Sequence, residues 1–249
     1  MDRISPTKRP PREADGTQKW RDLLFLHYEV PVSALRALVP PSLELDLWQG
    51  KALVGVVPFA MLDVKPKWAP VVPGVSHFLE LNVRAYVSVG EHPGVYFFSL
   101  EAESSVAVLA ARAGWGLPYF RARMQLERER DLVRYSSERL FPPPTPARLE
   151  ASYRVGPRLP DAEPGSLEFF LAERYLLFTA EGEGDVKVGQ VYHTPYPLYE
   201  ATLLSCEQSM LAAAGLPASC PVFSTHYSPG VDVEVFGLVP PSELRLAGA

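Results

Sequence analysis

Residues 80–87 read ELNVRAYV and residues 94–102 read GVYFFSLEA, with the turn-forming GEHPG at 90–94 between them. Side chains of a strand alternate between its two faces. The first stretch therefore sorts Leu81, Val83, Ala85 and Val87 onto one face and Glu80, Asn82, Arg84 and Tyr86 onto the other. Its partner offers Tyr96, Phe98 and Leu100 on one face and Val95, Phe97, Ser99 and Glu101 on the other. The pair reads as a hairpin covered on at least one side. The apolar face must pack. The polar face must meet water, a ligand or other polar groups, and alternation alone leaves those readings open.

Residues 22–30 (DLLFLHYEV) are a short apolar strand. Residues 32–39 form a two-turn helix that Pro40 and Pro41 stop, since proline cannot supply the next helical hydrogen bond. Residues 43–47 are a half-exposed strand. Residues 52–62 are an apolar strand in which Pro58 marks an edge or a bulge. A proline-rich loop follows at 65–75. Ser104 or Ser105 caps a helix over SVAVLAARA that Gly114 ends. Residues 119–129 and 130–137 make a second hairpin, and PPPTP at 142–146 is a loop. Strands follow at 148–155, 168–179 and 186–193, with the turn GEG at 182–184. A helix is expected at 205–214 and a last strand at 231–239. This is a mainly β (α+β) chain: a closed or nearly closed antiparallel barrel with a few short flanking helices.

The chain has 249 residues, a length that β-barrels commonly reach as one domain. Residues 1–19 are polar and read as a disordered lead-in to a single domain over 20–249. They lack the apolar centre of a secretory signal. A net charge of −5 argues against a nucleic-acid partner, and no stretch approaches the length of a membrane helix. Cys206 and Cys220 make no disulfide framework, which fits a cytoplasmic location. His27, His193 and His226 are scattered, so no metal is expected. Glycines form neither a phosphate loop nor a dinucleotide fingerprint, and no serine sits in a hydrolase elbow, so no cofactor is expected either. A homo-oligomer is left open. GWGLPYF at 114–120 is a preset turn that either aims a side chain or merely connects. THYSPGVDV at 225–233 reads as a loop entering the last strand, with His226 its one candidate.

An ordered set of segments resembles the YqjF-like family of uncharacterised bacterial proteins: WRDLLFLHYEVP (20–31), ALRALVPPSLELD (34–46), VGVVPFAM (54–61), ELNVRAYV, GVYFFSLEA, GLPYFRARM (116–124), FLAERYLLF (170–178) and HYSPGVDV (226–233). That family is similar to acetoacetate decarboxylase. The resemblance implies a cone-shaped antiparallel β-barrel with an internal pocket. It sets Arg21 at the place of an active-site arginine and Glu80 at that of a pocket glutamate. A second pocket glutamate is replaced by Val57 or Pro58. Tyr119 and Phe120 stand where the decarboxylase has two lysines, the first of which forms the Schiff base. The six lysines here are Lys8, Lys19, Lys51, Lys65, Lys67 and Lys187, none in a strong motif. Iminium decarboxylation is therefore not expected.

These residues define the expected site. Glu80 serves as a base if desolvation raises its pKa, Tyr119 as a proton donor, and Arg21 as a carboxylate fork. Asn82, Arg84, Trp115, Phe98, Phe120 and His226 complete the lining. Arg21 and Glu80 either serve a ligand or pair with each other. Two functions stay open: acid/base chemistry on a small carbonyl or carboxylate compound without a Schiff base, and non-catalytic binding of a small apolar ligand. A scaffold without a ligand is the third.

Overall fold

A computed structural model describes residues 1–106, 108–109, 116–142, 145–181 and 185–246. The hairpin at its centre is β4 (Phe78–Val89) paired antiparallel with β5 (His92–Ala102), turned at Gly90 with φ 57°. On its other side β4 pairs with β3 (Ala52–Pro66), β3 with β1 (Gly16–Val30), and β1 with β12 (Val222–Val239). From β5 the sheet continues through β6 (Tyr119–Glu129), β7 (Leu132–Phe141), β8 (Arg148–Arg158) and β11 (Tyr199–Gln208), back to β12. These nine strands make a ring, though not a regular barrel. Two more, β9 (Leu176–Glu181) and β10 (Asp185–Tyr192), bridge β5 to β12 by a second route. The short β2 (Glu44–Leu45) edges β4. The strands β12, β1, β3, β4 and β5 are thus a wall common to two closed circuits.

Burial reflects that arrangement. β6, β7 and β8 alternate over most of their length: Ala122, Met124, Val133, Tyr135, Leu149, Ala151 and Tyr153 are buried, and charged or polar residues lie between them. In the common wall both faces are covered, so Ala52–Met61 is buried throughout and reads as one apolar run. One core cluster holds Leu24, Leu26, Val54, Val56, Leu81, Val83 and Ala85. A second holds Leu23, Phe25, Val57, Phe59, Leu100 and Tyr119 on the opposite face of the same strands. The polar face of β4 belongs to this second side.

Several expectations need correction. The sheet is not wholly antiparallel: β5 pairs parallel with both β6 and β9. Residues 168–179 are not one strand. Leu167–Ala172 is a helix, here α2, because the Ser166 hydroxyl accepts the Phe169 N–H and caps it, while α1 is the expected helix at Val32–Leu38. Residues 205–214 are not one helix. Cross-strand pairing with β8 holds Tyr199–Gln208 extended, and only Met210–Ala213 (α3) is helical before Gly215 with φ 83°. Residues 225–230 lie within β12 rather than in a loop. The expected lead-in is packed: Gly16–Lys19 open β1, Pro6 is buried, and the Arg3 fork meets Asp46 at 2.7 Å. Pro58 does fall at a bulge, in the interval between Arg21 and Leu26 where β1 and β3 slip register. The helix expected over SVAVLAARA lies largely outside the described residues, and the GEG turn at 182–184 and much of PPPTP lie outside them too. Among the described residues no helix is long and apolar enough to cross a membrane.

Candidate functional site

Glu80 sits on β4 opposite Phe59 of β3 and Ala102 of β5. It is 3% exposed, and its Oε2 accepts a hydrogen bond from the Tyr119 hydroxyl at 2.9 Å. No cation lies within salt-bridge distance of it among the described residues. Burial pushes the carboxyl up to about 8. The Tyr119 bond opposes this and the nearby Glu101 adds to it. Burial, with Glu80 alongside, likewise holds the Tyr119 phenol well above its ordinary value. At neutral pH the pair is a protonated carboxylic acid and an intact phenol. Tyr135 fixes the backbone here by donating to the carbonyls of Phe59 and Glu80.

Arg21 is not part of this group. It is about a third exposed, binds Asp232, and donates to the Val231 and Trp20 carbonyls. The cause is local. Asp22 takes φ 53° within the register slip between β1 and β3, so Arg21 lies opposite Ala60, whereas the register of Leu26 with Val56 carried on would set it opposite Met61, in the cluster that holds Phe59. Hence Arg21 and Glu80 do not pair. Phe98 is displaced in the same way. A register slip at Val83/Arg84 leaves it as the extra residue, and it packs edge-on to Tyr96 against the first core cluster. Phe120 faces away from Tyr119 and lies under the Arg139 guanidinium, itself bound to buried Glu101. Trp115 lies outside the described residues.

The rest of the β4 face is brought together. Asn82 is 6% exposed, and its Oδ1 has no partner among the described residues. Arg84 is buried, donates from Nη2 to the Leu171 carbonyl at 3.1 Å, and lies over the rings of Phe25 and Tyr86. The Tyr86 hydroxyl donates to the same carbonyl at 2.8 Å and meets His27 Nε2 at 2.6 Å. That leaves His27 with the proton on Nε2 and a bare Nδ1. Burial, helped by Arg84, holds His27 well below its ordinary pKa. His226 lies opposite Phe25 on β12, 3.9 Å from Glu168, and burial lowers its pKa too.

His27, Tyr86, His193, Tyr196 and Glu173 were missed as site residues. His193 donates Nδ1–H to the Thr194 carbonyl at 2.8 Å and stacks on Tyr175, and burial pushes it down to about 4. Glu173 accepts from Tyr175 at 2.5 Å and from the Tyr196 N–H at 2.9 Å. The signal for His27 was its alternation with Phe25 on β1. No local pattern brings 173–196 to this wall. All six lysines keep solvent contact, so none is a buried amine. Among the described residues no cluster of metal-ligating side chains occurs.

Several solved structures match nearly the whole chain. Acetoacetate decarboxylase from Legionella pneumophila superposes with a TM-score of 0.61 at 14% identity, covering 95% of this chain and 94% of that one. The enduracididine biosynthesis enzyme MppR, complexed with pyruvate, superposes with a TM-score of 0.64 at 15% identity, covering 94% and 93%. The fold is that of the acetoacetate-decarboxylase-like proteins. In sequence, the uncharacterized protein YqjF of Bacillus subtilis (strain 168) is 39% identical over 218 residues, 87% of this chain and 88% of YqjF. The chain belongs to the DUF2071 family of uncharacterized conserved proteins, whose model matches residues 17–232.

Proposed function

We propose that the Glu80–Tyr119 pair carries acid/base chemistry on a small carbonyl compound. The observation that supports it is a fully buried carboxyl, held near pH 8 and bonded to a phenol on the polar face of an interior strand. General acid/base catalysis works best when the group's pKa lies near the working pH. In its ionised form Glu80 would take a proton from the carbon next to the carbonyl, and the acid so formed would return a proton to that carbon. Tyr119 would hold the ionised carboxylate through its hydrogen bond. A Schiff base has no part in this reading, because every lysine reaches solvent, and the resemblance sets Tyr119 where the decarboxylase has its lysine. MppR, of the same fold, was solved with pyruvate, itself a small keto acid.

The test is deuterium exchange. Pyruvate, acetoacetate and butanone are incubated in deuterated water with wild type, Glu80→Gln and Tyr119→Phe, and followed by proton NMR. Wild type should exchange the protons next to a carbonyl of at least one of them, and Glu80→Gln should lose ~10²–10⁴-fold of that rate. No exchange, or equal exchange in Glu80→Gln, contradicts the reading. The apolar wall of Leu23, Phe25, Val57, Phe59 and Leu100 favours the second reading, a non-catalytic binder. Binding of butanone without exchange would select it.

A further inference from the structure

Arg84 is the group on this wall that folding alone explains least. It is 9% exposed, and no carboxylate lies within 4.0 Å of it among the described residues. The contrast with its neighbours is instructive. Buried Arg174 is answered by Asp46 at 2.7 Å, and buried Arg139 by Glu101. Arg84 has one carbonyl, a 3.5 Å approach to the Tyr86 hydroxyl, and two ring faces. Its Nε–H is buried without a partner among the described residues. A guanidinium taken out of water without a counter-charge loses hydration that a carbonyl and two rings only partly replace.

The surroundings are tuned in one direction. His27 and His193, the imidazoles whose fields reach Arg84, are both held neutral by burial. Tyr196 is buried beside it and stays a phenol. Two buried guanidiniums lie over the Tyr86 ring, and of these Arg174 is neutralised by Asp46 while Arg84 has no carboxylate partner among the described residues. Gly55, directly across the strand pair, leaves it room: a Cβ there would come within 3.3 Å of the Arg84 side chain. Asn82, one step along the same face, presents an unpartnered Oδ1. A surface cleft of about 460 Å³ between Lys19, Lys65 and Thr194 reaches His193.

We propose that Arg84 is the anchor for the carboxylate group of a small organic acid bound on the interior face of β4. The guanidinium edge matches a carboxylate in shape and charge. This deepens the acid/base reading, on which it rests for the identity of the site, and it assigns the carboxylate to Arg84 in place of Arg21. The substrate class becomes acids carrying a carbonyl, rather than neutral ketones.

Thermal shifts test it, with sodium acetate, pyruvate, acetoacetate and hexanoate against acetone, acetamide and sodium sulfate, on wild type, Arg84→Met, Arg84→Lys and Glu80→Gln. At least one carboxylate should raise the wild-type Tm, and acetone, acetamide and sulfate should not. Arg84→Met should lose that rise while its ligand-free Tm stays level or climbs, because the Tyr86 hydroxyl still serves the Leu171 carbonyl. Glu80→Gln should keep the rise. A carboxylate shift that survives in Arg84→Met, or none in wild type, overturns the proposal. If Arg84→Met does not fold, Arg84→Lys decides: affinity weakened tenfold or more supports the anchor, and unchanged affinity overturns it. Proton exchange without a carboxylate shift would sink the anchor and keep the acid/base reading. A carboxylate shift without exchange would do the reverse.

Discussion

Glu80 has a phenol for its bonded partner, and that sets how it answers to mutation. Tyr119 donates the hydrogen bond that favours the charged carboxylate, so Tyr119→Phe should push the Glu80 pKa further above about 8. A pH profile of proton exchange should show its midpoint move upward, and a downward move would count against the pairing. Arg21 behaves differently. Its partner Asp232 is 69% exposed, and exposed ion pairs contribute ~0–1 kcal/mol. Arg21→Met should cost no more than about 1 kcal/mol in urea unfolding. A loss of 3 kcal/mol or more would mean that the guanidinium is buried after all. The sequence placed Glu80, Asn82 and Arg84 on one face correctly, since strict alternation has a single solution. It misplaced Arg21 and Phe98, because one extra residue in a strand inverts the facing of every residue beyond it. Asp22 at positive φ is such a residue, and nothing in WRDLL marks it.

At the scale of elements, closure depends on close approach between strands. Gly94 of β5 lies against β9, and a Cβ there would meet the Leu176 carbonyl at 2.5 Å and the Phe178 ring at 2.7 Å. Backbone cannot yield as a side-chain tip does. Gly94→Ala should cost roughly 1–3 kcal/mol in chemical denaturation, and a neutral result would mean that β9 is not seated on β5. The N-terminal segment is a second closure. Arg3 and Arg174 both bind Asp46, and burial of Asp46 raises its pKa less than those two cations lower it. Deleting residues 1–14 should remove about 1–3 kcal/mol, read as a lower denaturation midpoint. An unchanged midpoint would restore the disordered lead-in. Hairpins were legible because their turns and alternation are local. The fates of 168–179 and 205–214 were not. LEFFLA is as apolar as a strand, and SCEQ reads as helix until β8 pairs with it.

For the whole molecule, the common wall ties the protonation of Glu80 to global stability. Composition and the run of strands pointed to a β-rich ring. They did not show that the second face of the wall is also enclosed, because β9, β10 and α2 reach it from far along the chain. That enclosure desolvates Glu80. Unfolded, the carboxyl releases its proton near the ordinary 4.5; folded, near 8. Between those values the folded state holds a proton that the unfolded chain does not. The contribution is fully present below 4.5 and is lost as pH rises through about 8. Glu101 and Glu173 are also raised by burial, and His27 and His193 are lowered, so the wild-type curve alone mixes several groups. The comparison with Glu80→Gln isolates the one that matters. Unfolding free energies of both proteins should be measured in urea from pH 5 to pH 9.5. Wild type should lose on the order of 3–5 kcal/mol relative to Glu80→Gln across that range. Two parallel curves would show that Glu80 is an ordinary carboxylate, and that the interior face of β4 holds no neutral acid.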